Sequence, residues 1–269
     1  PKVELHCHVE WTVRPETVVE LVRRSGRPLP VEDPRELYRY DSLDSFLAIF
    51  WLVQEAIATP DDWARVAYES LVDGAAHGLR YREMFFTPAR HLAAGQRLDG
   101  IVAGLTRGIE EVVALRRAGK AERVIGIGAD STELGVDHRI FQPAYALAAA
   151  AGLRRTCHAG EAVGVGAENV RIALDVLGVE RIDHGIAVAE DPDLLRRMVD
   201  ARVPLTVCPT SNIVIANRYR SLAEHPFPAM RDAGLLLTVN TDDPAMTDLD
   251  LGREYRAVGE AYGYGLVEP

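Results

Sequence analysis

Leu153-Arg154-Arg155-Thr156-Cys157-His158-Ala159-Gly160-Glu161 is a short strand-like run that ends abruptly in polar, chemically active residues, and Arg181-Ile182-Asp183-His184-Gly185 repeats the pattern. Between them Leu174, Val176 and Leu177 belong to a helical apolar stripe. Strand, polar end, helix, strand is one βα unit, and the same grammar extends in both directions. Val3–Val9, Leu79–Phe86, Arg123–Ala129, Pro204–Val207 and Leu235–Val239 read as further strands. Leu98, Ile101, Val102, Leu105, Ile109 and Val112 form a helical stripe, and Leu194, Leu195 and Met198 another. Such alternation predicts a parallel sheet with right-handed crossovers. With so many units in 269 residues, a closed barrel is favoured over an open doubly wound sheet. No G-x-G-x-x-G follows any strand, which also counts against a dinucleotide-binding fold. The expected fold is therefore α/β, a (β/α)8 TIM-type barrel forming a single domain over 1–269.

One unit of that barrel is short. Seven strands are recognisable, and from Pro88 to Lys120 the pattern is helical almost throughout, with the stripe continuing through Val113 and Leu115. The reading is that one βα unit is incomplete, with residues absent near Val112–Val113. The region from Trp11 to Gly78 has room for extra helices, contains the apolar cluster Phe46, Leu47, Phe50 and Trp51, and offers no clear strand.

Composition narrows the class. Hydrophobic residues make up 48% and charged residues 26%, and 40 acidic against 30 basic residues give a net charge of -10. No segment is rich in Lys or Arg without acidic partners, so a nucleic-acid backbone is not the expected target. The longest apolar stretches, Phe46 to Val53 and Tyr145 to Gly152, fall well below the ~20 residues of a membrane span. Pro1 leads directly into a strand-like run, with no signal-peptide pattern. Cys7, Cys157 and Cys208 make no disulfide framework or zinc-ligand spacing and read as small buried apolar residues. The expectation is a cytoplasmic enzyme acting on a small molecule, with homo-oligomerisation left open.

The polar residues concentrate where a barrel builds its active site, at the C-terminal ends of strands. The first strand carries His6-Cys7-His8 with Glu10 following, and period-two alternation puts His6 and His8 on one face. His158-Ala159-Gly160-Glu161, Asp183-His184-Gly185 and Asn240-Thr241-Asp242-Asp243-Pro244 end later strands. Four of the eight histidines lie at such ends. Imidazoles with one carboxylate suit Zn²⁺, with Fe²⁺ or Co²⁺ as alternatives. A zinc ion with an open position brings the pKa of bound water to about 7, which is hydrolytic chemistry. Such a site needs a second group to orient the water and an acid for the leaving side.

Pro1-Lys2-Val3-Glu4-Leu5-His6-Cys7-His8, His158-Ala159-Gly160-Glu161, Arg181-Ile182-Asp183-His184-Gly185, Cys208-Pro209-Thr210-Ser211-Asn212 and Asn240-Thr241-Asp242-Asp243-Pro244 together resemble the adenosine and adenine deaminases of the amidohydrolase superfamily. The motifs stand in family order and cover most of the chain. The base deaminases with an H-x-E and P-C-x-x-C signature are a different family, and that signature is missing. The resemblance implies that His6, His8, His158 and Asp242 hold one Zn²⁺ per chain. It implies that His184 orients and helps deprotonate the water, and that a protonated Glu161 donates to N1 of a purine. Asp243 would bond N7, and Gly160, Glu10, Ser131, Phe46 and Phe50 would line the substrate. Hydroxide attack at C6 would then expel ammonia. The chemistry is sensible, since a ring nitrogen takes a proton best from a carboxylic acid whose pKa is raised in a dry pocket.

Two departures bear on the substrate. Adenosine deaminases usually carry Asp-Gly after the first motif, and here Glu10-Trp11 stands instead. The Glu resembles the adenine branch and relatives that act on sugar-modified adenosines such as aminodeoxyfutalosine, while Trp11 is bulky where the family has Gly. Gly128-Ala129-Asp130-Ser131-Thr132-Glu133 also resembles the adenine branch. The helix containing Phe46, Phe50 and Trp51 is similar to the lid of the adenosine branch, and it tips the reading narrowly toward adenosine. Two rivals stand beside this one: a silent purine-binding protein on the same scaffold, and a metal hydrolase of another bond. The latter often needs a strand-end Lys to bridge two metals, whereas Lys2 and Lys120 are the only lysines and neither follows a strand.

Overall fold

The computed structural model describes residues 1–40, 43–116, 125–130 and 132–265. They sort into two compact units. One comprises Pro1–Val3, Cys7–Arg123 and Asp242–Leu251, and the other Glu4–His6, Val124–Thr241 and Gly252–Pro269. The expected α/β class is present, with seven strands among the described residues in sheets of two and five.

The larger sheet belongs to the second unit. Its strands are β3 (Gly126–Ile127), β4 (Arg154–Ala159), β5 (Arg181–His184), β6 (Pro204–Val207) and β7 (Leu236–Val239), in that order and all parallel. Parallel strands covered on both faces are apolar along their length, and Cys157, Ile182, Leu205 and Val207 are fully buried. Register decides what the polar residues meet. His158 pairs with Asp183 and Ala159 with His184 across β4 and β5, and Asp183 pairs with Thr206 across β5 and β6. His158, Asp183 and Thr206 therefore lie in one row. Helix α8 (Pro192–Asp200), between β5 and β6, starts where Asp191 accepts from the Leu194 N–H at 3.0 Å with Pro192 in the first turn. Its Leu194 and Met198 are fully buried in the core of this unit, with Val170, Ala173 and Met230.

The first unit is mainly helical. α1 (Pro15–Arg24), α2 (Leu43–Ala56) and α3 (Pro60–Ala76) occupy the region read as lacking strands. α3 opens on a capping box in which Thr59 and Asp62 each satisfy the other's backbone N–H. α5 (Leu98–Arg116) lies against α3 at backbone distance. A Cβ at Gly104 would stand 2.3 Å from the Pro60 carbonyl, and one at Gly108 would stand 2.2 Å from that of Ala64. Only glycine permits this approach.

The strand expected over Val3–Val9 is shorter than predicted. β1 (Lys2–Glu4) pairs with β2 (Leu79–Arg82), and beyond it only single bridges form, Cys7 to Asp242 and His8 to Phe85. Past Glu4, which is fully buried with its carboxylate on the backbone and hydroxyl of Thr241, the Leu5 N–H leaves the ladder and donates to Asn240 Oδ1 at 2.8 Å. α5 is continuous through Val112 and Val113, where residues were expected to be absent, and no strand follows it among the described residues before β3.

Candidate active site

Three of the predicted imidazoles meet in the second unit. Ring centroids of His6 and His158 lie 4.6 Å apart, those of His6 and His184 4.7 Å, and those of His158 and His184 5.1 Å. All three residues are buried. Their hydrogen bonds fix which nitrogen carries the proton. Thr206 donates its one hydroxyl hydrogen to Asp183 Oδ1 at 2.8 Å, so at 3.0 Å from His6 Nδ1 it accepts. His6 is thus protonated at Nδ1 and bare at Nε2. His158 Nδ1 faces the Ala129 carbonyl at 3.2 Å, and a carbonyl only accepts, so His158 is bare at Nε2 as well. Ligand atoms of these two residues lie within 4.8 Å of one another. A neutral imidazole whose other nitrogen is anchored to an oxygen is how a divalent metal is bound. The donors fit a metal.

Asp183 organises this half of the site, a role the sequence reading left unassigned. Its carboxylate also accepts from the Thr156 hydroxyl at 2.5 Å and from Arg181 Nε at 3.3 Å. Burial alone raises its pKa, but the His6 contact and the Arg181 charge hold it well below the usual carboxylate range. Glu133, also missed, is buried on the far side of the turn after β4. It accepts from the backbone N–H groups of Gly160 at 2.7 Å, Glu161 at 2.8 Å and Ala162 at 3.2 Å. Gly160 has a φ of +76°, and a Cβ there would meet Ala187 at 2.9 Å. The turn aims Glu161 so that its Oε2 is 3.5 Å from His184 Nε2. His184 itself has a φ of +60°, left-handed for a residue with a side chain, which costs about 1–2 kcal/mol. Ser131 lies outside the described residues.

His8 and Asp242 come together in the first unit. The His8 N–H donates to the Asp242 carbonyl at 3.0 Å, and His8 Nε2 is 3.4 Å from Asp242 Oδ1. Asp242 also has positive φ, +64°. Asp243 is buried beside it. Glu10 is fully buried, accepts from the Thr87 N–H at 2.6 Å and lies 4.0 Å from His91 Nε2. Trp11 sits in a 3-10 turn (Val9–Thr12), stacks on Phe50 with centroids 4.1 Å apart and joins the apolar core of this unit. It neither strains nor disturbs the turn. The side chain of Phe46 lies outside the described residues.

The adenosine deaminase family profile matches residues 1–125 and 107–268. The chain belongs to the adenosine deaminase family. As in that family, it is a hydrolytic deaminase on an α/β scaffold of the barrel type. An adenine deaminase of Streptomyces coelicolor is 42% identical over 291 aligned residues, covering 98% of this chain and 85% of that protein. The crystal structure of an adenine deaminase from Arthrobacter aurescens superposes with a TM-score of 0.87 at 34% identity, over 98% of this chain and 89% of that one. A zinc-bound amidohydrolase from Burkholderia ambifaria gives 0.84 at 29% identity, over 99% and 81%. The two profile matches share residues 107–125, and the alignment of 291 positions exceeds the 269 residues present. Both facts fit relatives that carry additional residues at this point.

Proposed function

We propose that the chain deaminates free adenine at C6, with one zinc ion held by His6, His8, His158 and Asp242. The observation that carries this is the pair of buried imidazoles, His6 and His158, each held at Nδ1 by an oxygen acceptor, a contact that puts the ring proton there. Their ligand atoms are close enough to share a metal. Beside them stand His184 and Glu161, 3.5 Å apart. Relatives named adenine deaminase at 42% and 35% identity favour adenine over the adenosine suggested by the Phe46–Trp51 helix, and Glu10 points the same way.

A zinc ion in this donor set supplies hydroxide near neutral pH. Glu161 gives a proton to N1, which leaves C6 electron-poor, and His184 holds the attacking oxygen in line. The C6–O bond forms first, with the electrons of the N1–C6 double bond moving onto the protonated N1 and C6 becoming tetrahedral. The C6–N bond then breaks as electrons return to C6 and make it a carbonyl carbon. One water hydrogen leaves with the amino group as ammonia, and the other restores the proton to Glu161. Asp243, carrying a proton, would donate to N7 on the far side of the ring. Buried glutamates and histidines around the base keep bulk water from competing for these contacts.

Ammonia release by the zinc-loaded protein tests the reading, with adenine, adenosine and a 5′-modified adenosine side by side. Turnover is expected with adenine and is expected to fall at least a hundredfold in Glu161→Gln. Faster turnover of either nucleoside sinks the adenine assignment. Purine binding without any turnover sinks the reaction.

A further inference from the structure

His184 meets a buried polar chain that leads away from the metal ligands and starts at a backbone amide. The Phe227 N–H donates to His225 Nδ1 at 3.1 Å. His225 Nε2 is 3.1 Å from Asn212 Oδ1, and Asn212 Nδ2 is 3.0 Å from His184 Nδ1. Asn212 and His184 are fully buried and His225 nearly so. A backbone amide can only donate, and this fixes the polarity of every link. His225 must be bare at Nδ1 and protonated at Nε2. Its N–H therefore meets the Asn212 carbonyl oxygen, which turns the Asn212 amide hydrogens toward His184 Nδ1. The neutral His184 ring is left with its proton on Nε2.

We infer that His225 and Asn212 are positioning residues that lock His184 as an Nε2–H donor, opposite in tautomer to His6 and His158. This rests on the deaminase reading only for its consequence. His184 then steadies the oxygen nucleophile by donating to it and does not remove its proton, the role expected from the family resemblance. Burial supports the lock by lowering the His225 pKa to about 4, so the ring stays neutral and its Nδ1 stays an acceptor. Asn212 is held in place by its own helix, α9 (Pro209–Val214), whose Thr210 is bound through backbone and hydroxyl by Glu254.

Long-range ¹H–¹⁵N spectra of the imidazoles in the zinc-loaded protein test this directly. The His184 and His225 signals are assigned by their loss in His184→Asn and His225→Phe. Both rings are expected in the Nε2–H tautomer. Asn212→Asp offers His184 no donor, and it is expected to move the proton to Nδ1 and lower kcat on the order of a hundredfold with KM nearly unchanged. A wild-type His184 protonated at Nδ1 overturns the inference whatever the activity. So does an Asn212→Asp protein that keeps both the Nε2–H signal and full kcat. The spectra do not depend on turnover, so a protein with the expected tautomers and no deaminase activity refutes the reaction and leaves the lock standing.

Discussion

Thr206 has one hydroxyl hydrogen and gives it to Asp183, which is why His6 must donate to Thr206 and keep Nε2 bare. Thr206→Val keeps the shape and removes the acceptor. It also leaves a buried imidazole N–H with a poor partner, a loss of about 1–3 kcal/mol. Zinc affinity is expected to fall about 10–100-fold, measured by competition with a chromogenic chelator; unchanged affinity would show that Thr206 does not set the His6 tautomer. The ligand types themselves were readable, because His-x-His and a strand-end Asp-Asp are local patterns. Thr206 and His225 carried no such signal, and Asn212 stood in a quoted motif without a role. Each is an ordinary polar residue until register or a turn brings it to a ring nitrogen. Trp11 was readable as a departure, but not as a core residue stacked on Phe50.

Between α3 and α5 the glycines carry the packing. Gly108→Ala gains up to ~1 kcal/mol of helix propensity, but its Cβ would stand 2.2 Å from the Ala64 carbonyl. Forcing the helices apart costs about 1–3 kcal/mol, so the variant is expected to be less stable in urea denaturation. Gly100→Ala, on the same helix, has only an ordinary contact with Pro60 at 3.4 Å, and it is expected to be neutral or stabilising. Equal effects at both positions would refute the close-packing account. Helical stripes and apolar runs announced these elements, since burial of one face imposes a period. Where β1 ends was not announced. The residues from Leu5 to Val9 look like strand, and the Leu5 N–H is instead taken by the Asn240 side chain, 235 positions away.

At the scale of the whole molecule, several carboxylates are buried among the described residues, Glu4, Glu133, Asp183 and Glu254 among them, each accepting hydrogen bonds. Glu254 is the one with a cost that can be measured. Burial raises its pKa to about 7 against Thr210 hydrogen bonds that lower it, and Glu4 adds repulsion. Its unfolded value is near 4.5. Below that value both states are protonated and the group is neutral to stability. As pH rises from 4.5 to 7 the unfolded chain ionises first, and the folded state loses about 3 kcal/mol relative to it, a loss that persists above pH 7. Metal-free Glu254→Gln protein is expected to lack this loss. Its stability advantage over wild type in urea should therefore be larger at pH 8 than at pH 4.5, and a constant difference would disprove the assignment.

Chain order, strand ends and ligand types were determined by the sequence itself. They follow from hydrophobic period and residue chemistry, which act between near neighbours. Which nitrogen each imidazole offers was decided only by the tertiary structure. His6 takes its tautomer from a residue 200 positions away, His158 from one 29 away and His184 from one 28 away. A ring proton sits where its partner is not a donor, and those partners are supplied by strand register and helix placement.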